Sequence, residues 1–305
     1  MKLKTFFATG AAAFALLATF PAAAQEDAAP AATQALPSGP EGPALWSVSD
    51  EDTTIYLFGT VHVLPPEIQW YDQEIADALT SADTFVSEIP MGAEADRKMQ
   101  AMAMTRGSLP PGTTLRSMLT EEQTAAYEAS LAKLGVPAAA FDQLKPWMAG
   151  LTLGLLPVMQ AGYSPDSGVE KVLIAKVGET RRDALETVEF QLNIFDTLDQ
   201  EKQIAYLMEA VEGVDEARAF LDSMVTEWAE GDADALAALM NEALTDAEMG
   251  DKLLFDRNAS WAEWIEARMD TPGTVFVAVG AGHLAGERSV QDYLAERGIM
   301  STRIQ

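Results

Sequence analysis

The sequence predicts an α/β protein: a mixed, mostly parallel central sheet flanked by helices, with a largely helical middle region. Three observations carry this. Two strongly apolar runs, IYLFGTVHVL at 55–64 and VFVAVGAGHL at 275–284, have the length of buried strands, and both contain Gly-x-x-His. The first is followed within about 35 residues by a helical pattern and another strand, the size of a βαβ crossover. Between about Gly92 and Met240 the apolar spacing is mostly helical.

Taken in order, residues 1–24 have the layout of a secretory signal peptide. Lys2 and Lys4 precede an apolar stretch from Phe6 to Phe20, and Ala22-Ala23-Ala24 offers small residues before a cut. The run falls short of the roughly 20 apolar residues a spanning helix needs, so no transmembrane anchor is expected after cleavage and the protein is expected in a periplasm or outside the cell. Residues 25–44, rich in Ala, Pro and Gly, read as a disordered linker, and 45–305 as the folded domain, long enough for one large core or two lobes.

Trp46 and Val48 alternate with polar neighbours in a first strand, and Asp50-Glu51-Asp52 turns it into a second over 53–58, a predicted hairpin. Pro65-Pro66-Glu67 starts a new element, whose Ile75 and Leu79 share a helix face. TFVSEI at 84–89 is the next strand, expected to pair in parallel with the first Gly-x-x-His strand. Thr120 opens a helix with Gln123 in capping-box position. Lys145-Pro146-Trp147 opens an apolar helix through Met159, too short and too interrupted by Pro157 to cross a bilayer. Gly178 is the expected stop of a helix before a short strand at 182–185. Helices are expected over 189–210, 215–229, 232–243 and 247–269, then a strand at 274–279 and a closing helix marked by Val290, Tyr293 and Leu294. The two strand-Gly-x-x-His units hint at a pseudo-twofold arrangement.

Composition narrows the function. With 47 acidic against 20 basic side chains the net charge is −27, a surface that repels nucleic acid and anionic lipid and attracts cations. No cysteine is present, which excludes disulfides, thiolate ligands and thiol nucleophiles. Gly-x-Ser-x-Gly and His-Glu-x-x-His signatures and phosphate-loop glycine patterns are absent. Met99, Met102 and Met104 read as core filler or contact surface rather than a soft-metal site.

The chain has two histidines, His62 and His283, and both stand in the same pattern. Gly59 or Gly280 lets the backbone approach closely, and the imidazole projects above a strand end. Two neutral imidazoles with one or two carboxylates make a divalent transition-metal site; against this stands the plain reading that each His only hydrogen-bonds at its strand end. Glu88 ends an apolar strand, where a carboxylate has little local reason to be, and is the first-choice ligand or general base. Glu186 holds the same position after a weaker strand. Helical spacing puts Arg257 and Asn258 beside the apolar face of Leu254, Trp261, Trp264 and Ile265, where the arginine either snorkels or supplies a fixed charge to a substrate.

The ordered set GTVHVLP at 59–65, SEIP at 87–90, LETVEFQL at 185–192, DRNASWAEWI at 256–265 and VAVGAGHLAGE at 277–287 resembles the TraB/GumN family, which includes the animal Tiki proteins. The resemblance runs from about Ala44 to the C-terminus. It implies a mixed α/β sheet with one cleft lined by His62, His283, Glu88 and Arg257, and with Gly59 and Gly280 as motif glycines. It assigns no firm role to Glu186 or Asn258. It also implies a metal-dependent protease of the Tiki kind, favouring manganese or cobalt. The expectation is an exported metallohydrolase, a peptidase using manganese, cobalt or zinc on a peptide or other small exported substrate. The alternative is a non-enzymatic protein binding a metal or ligand in the same cleft.

Overall fold

The computed structural model describes residues 42–243 and 246–305. The predicted signal peptide and the linker up to residue 41 lie outside the described residues. Gly42, Pro43 and Ala44, expected in the linker, are instead buried in the fold.

The sheet has the order β4-β3-β5-β2-β1-β6. β1 (Leu45–Ser49) and β2 (Thr53–Thr60) form the predicted hairpin, with Asp50 Oδ1 accepting from the Asp52 and Thr53 amides at 3.1 and 2.8 Å. β3 (Thr84–Ser87), β4 (Arg182–Ala184) and β5 (Gly273–Gly280) all run parallel to β2, and β6 (Thr302–Arg303) adds antiparallel to β1. Along β5, Val275, Val277 and Val279 bury on one face and Phe276 and Ala278 on the other, the two-sided burial of a strand covered by helices on both sides. Phe276 packs against Phe58 and Phe85, with ring centroids 5.8 and 6.1 Å away.

The helices follow the sequence closely in the first half. α1 (Gln73–Ser81) starts at Asp72, whose carboxylate accepts from the Ile75 amide, so the segment after Pro65-Pro66 is loop and the helix begins later than expected. α2 (Ala93–Gly107) and α3 (Glu121–Lys133) follow, and Thr120 and Gln123 form the full capping box. α4 (Pro146–Gln160) is the predicted core helix, buried over most of its length. α5 (Val169–Ile174) ends well before Gly178, which instead precedes a short 3-10 turn.

The expected helix over 189–210 is two, α6 (Val188–Asp196) and α7 (Gln200–Gly213), because Asp199 caps a new start by accepting from the Lys202 amide. α8 (Ala217–Ala229) and α9 (Ala233–Ala243) lie where expected. The 247–269 segment is α10 (Ala247–Gly250), a π-helical turn (Asp251–Phe255) and α11 (Asp256–Met269). α12 (Val290–Glu296) closes the second face of the sheet together with α11. No helix among the described residues is long and apolar enough to cross a membrane.

α4 and α7 pack closely at Gly150, where a Cβ would lie 3.1 Å from the Tyr206 ring and 3.2 Å from the Leu207 Cα. Backbone cannot yield as a side-chain tip can, so Gly150→Val is expected to cost at least about 1–3 kcal/mol through overpacking. Urea denaturation checks this, and an unchanged midpoint would show that the two helices separate freely.

The crossover from β2 through α1 to β3 is parallel, but its two strands are not neighbours. β5 lies between them, paired with both. This also corrects the pseudo-twofold hint: adjacent parallel strands are related by translation. The two motifs are offset by one residue, since Thr60 rather than Gly59 faces Gly280.

Candidate functional site

Four parallel strands end on one edge of the sheet, and the crevice beyond the carboxyl ends of such strands is the usual ligand site. His62, Glu88, Glu186 and His283 all stand just past these ends. The β3–β4 pairing continues beyond both strands, the Glu186 amide donating to the Glu88 carbonyl at 2.8 Å, so these two carboxylates start side by side.

Arg257 comes in from the other side. The π-helical turn sets the start of α11, and the Leu253 carbonyl within that turn accepts from Arg257 Nη1 at 2.8 Å. Nε donates to Glu186 Oε1 at 2.8 Å, and Nη2 to Glu88 Oε2 at 2.6 Å and Glu186 Oε2 at 2.9 Å. Nη1 also points at His283 Nε2, 3.2 Å away. Arg257 is only 2 % exposed, so it does not snorkel; its fork is fully used in a buried cluster. Asn258, next on the helix, accepts from His283 Nδ1 at 2.6 Å, and its amide nitrogen donates to the Arg288 carbonyl, which fixes the orientation of the amide.

Three side chains outside the expected site residues, Glu170, Gln191 and Trp261, complete the site. Glu170 pairs with His62 Nδ1 and accepts from the Thr60 hydroxyl. Its segment is knitted to the His62 loop by Val169 N to Val61 O at 3.0 Å and by a bridge between Leu64 and Ser164. Gln191 donates to Glu88 and Glu186 alike, both at 2.9 Å. Trp261 donates to Glu186 at 2.9 Å while its ring lies against His283, centroids 4.3 Å apart. A signal existed for two of them. Glu170 shares a helix face with Leu173 and Ile174, and Gln191 with Val188 and Phe195, polar groups at apolar positions.

With Glu170 and Asn258 accepting, Nδ1 is the protonated nitrogen of each imidazole, and each Nε2 offers its lone pair. Burial, and then the neighbouring Arg257 guanidinium, push His283 down to about 3, so it is neutral. Burial acts to lower His62 as well, but Glu170 at its Nδ1, helped by Glu88, carries it above the ordinary imidazole value against Arg257. For Glu88 burial acts to raise the pKa, yet Arg257 first, then the two histidines and the Gly280 amide, hold it at about 2.

Gly280 is the floor of the arrangement. A Cβ there would sit 3.2 Å from Glu88 Oε1, 3.5 Å from His283 Cδ2 and 3.9 Å from His62 Nε2, so all three predicted residues border one small space. Gly59 serves a different need: its Cβ would meet the Ala281 backbone at 3.0 Å, and its carbonyl accepts from Trp228 Nε1 at 2.8 Å. The imidazoles line a pocket of about 30 Å³. An open cleft of about 600 Å³ runs along β4 and reaches Glu186, but no imidazole lines it.

This site joins the ends of a chain whose residues 44–303 match the TraB/PrgY/gumN family. The chain belongs to the TraB/PrgY/gumN family. Within it, this chain is similar to an uncharacterized protein of Treponema pallidum (strain Nichols), 23 % identical over 84 % of this chain and 81 % of that protein. It is also similar to the uncharacterized protein YbaP of Escherichia coli (strain K12), 22 % identical over 78 % of this chain and 87 % of YbaP. No solved structure matches it. The features described above are therefore those of a TraB/PrgY/gumN chain: both Gly-x-x-His histidines, Glu88, Glu186, Arg257 and Asn258 in one buried cluster.

Proposed function

We propose that this protein is an exported metal-dependent hydrolase acting on peptides, with His62, His283 and Glu88 holding a divalent ion. The observation that carries the reading is His62 Nε2, a buried nitrogen with no hydrogen-bond partner, which borders the same space as the other two. An unpartnered buried nitrogen is costly unless something occupies the space before it.

The donor set fits such an ion. Each imidazole has its Nδ1 anchored by an acceptor, the usual outer support of a ligating histidine. His283 Nε2 and Glu88 Oε1 are 3.8 Å apart, near enough that both would serve one divalent ion. Glu88 and Glu186 share the single guanidinium of Arg257, and a divalent cation would balance the negative charge left over. Among the described residues no three His, Cys, Asp or Glu side chains are yet gathered to hold an ion. Arg257 Nη1 occupies the His283 lone pair, so loading requires it to give up that one contact while its bonds to the two carboxylates remain. Nitrogen with carboxylate donors suits manganese, cobalt or zinc.

Bound there, the ion supplies a Lewis acid for a substrate carbonyl and for activating water. The protein's own groups do the rest. Glu170 keeps the His62 lone pair aimed inward, the Gly280 amide fixes Glu88 Oε1 at 2.8 Å, and Arg257 holds positive charge beside the reacting space. Glu88, held at about 2, suits a ligand better than a general base.

Purified protein is expected to carry close to one divalent ion per chain by elemental analysis, and His62→Ala and His283→Ala each to lose it. Metal retained in both variants would sink the proposal. Turnover is sought with mixed peptides and esters plus manganese, cobalt or zinc. Metal held tightly with no turnover by the wild type selects the binding protein instead.

The His62–Glu170 pair favours a second reading, in which His62 Nε2 is a general base with no metal. Hydrolysis that survives chelation but is lost in His62→Ala selects it.

A further inference from the structure

The pocket above the imidazoles is roofed by Leu221 and Met224 of α8, Leu236 and Met240 of α9, and Leu254 of the π-helical turn. Its free volume, about 30 Å³, exceeds the roughly 10–15 Å³ that one water needs. Water, however, needs two to four polar partners in a buried site. His62 Nε2 is unpartnered, but His283 has both nitrogens engaged and the Thr60 hydroxyl donates to Glu170. A mostly apolar lining with one unpartnered side-chain nitrogen is a poor water site. It suits an apolar group attached to a polar one.

Met240 sets the height of the roof. Its Cε and Sδ lie 2.0 and 2.5 Å from where a Cβ on Gly282 would stand, so the thioether rests on the bare face of the glycine beside His283. An unbranched side chain with three rotatable bonds can withdraw to admit a larger group.

We propose that this pocket is a side-chain subsite for a small aliphatic group, from methyl to isopropyl in size, carried beside the polar group that meets His62, with Met224 and Met240 setting its upper limit. The identification of that polar group with the reacting one rests on the hydrolase reading; the aliphatic preference does not.

Straight-chain hydroxamic acids from acetyl to octanoyl test it, since their polar head both hydrogen-bonds and binds divalent metal. Calorimetry on the full chain, with and without zinc, should show affinity rising about fourfold per methylene over the first members and then falling. In Met240→Ala the best chain should be two or more carbons longer. In Gly282→Ala, which displaces the Met240 tip, the best chain should also change; Met240→Leu, a volume-conserving swap, should keep the wild-type optimum. Affinity independent of chain length, no binding of any member, or an optimum unmoved in Met240→Ala overturns the subsite. Chain-length preference in a protein that binds no zinc supports the subsite and overturns only the metal-dependent reading. Zinc bound without chain-length preference does the reverse.

Discussion

Arg257→Met in metal-free protein is expected to lower unfolding stability by about 3–5 kcal/mol, the usual cost of removing one partner from a buried ion pair. Glu88 and Glu186 would be left facing each other with Gln191, Trp261 and the Gly280 amide as their donors. Methionine nearly fills the volume, so the loss reports charge rather than a cavity. Glu88, without the guanidinium that holds its carboxyl low, would then take up a proton more readily. Urea denaturation measures the effect, and two further variants assign it. Arg257→Met with Glu186→Gln should lose less than the sum of the single changes, because the two side chains are in contact. Arg257→Lys should recover only part, since an ammonium cannot reproduce the fork that reaches both carboxylates, the Leu253 carbonyl and His283. A loss below about 1 kcal/mol in Arg257→Met would mean that the carboxylates do not depend on the guanidinium.

Gly280→Ala is expected to remove bound metal, a fall of at least about 100-fold in affinity, while the protein still folds. The added methyl would stand 3.2 Å from Glu88 Oε1 and within 4 Å of both imidazoles, in the space a ligand must use. Its structural cost is limited to overpacking of about 1–3 kcal/mol, and the Gly280 backbone is not in the left-handed region that alanine resists. Elemental analysis with a parallel urea curve separates the two effects. Metal content unchanged in a folded Gly280→Ala protein would place the ion elsewhere.

Much of this arrangement was readable beforehand where it depended on local pattern. The hairpin followed from alternation and an Asp-rich turn, α3 from its capping box, and the buried α4 from continuous apolarity. The histidines were legible because two glycine-bounded strand ends repeated one motif. Non-local pairing was not legible. Nothing in 53–89 says that a strand from 273–280 will slip between β2 and β3, since a crossover of that length suits adjacent strands equally well. Glu170 carries no strand-end signal, because it sits on a six-residue helix. Gln191 escaped because an amide carries no charge signal, although it bridges the two carboxylates that do.

The position of β5 has a consequence for how the chain matures. The strand between β2 and β3 is synthesised long after both, and it pairs with segments that end almost 190 and over 210 residues earlier. Until it arrives, β2 and β3 have no common neighbour and the Gly280 floor does not exist. A fragment ending before residue 273 therefore lacks His283, one of the three proposed metal donors, and also the Gly280 backbone that Glu88 and His62 border. Contacts this distant in sequence slow folding. The site comes into being only once β5 has taken its place between β2 and β3.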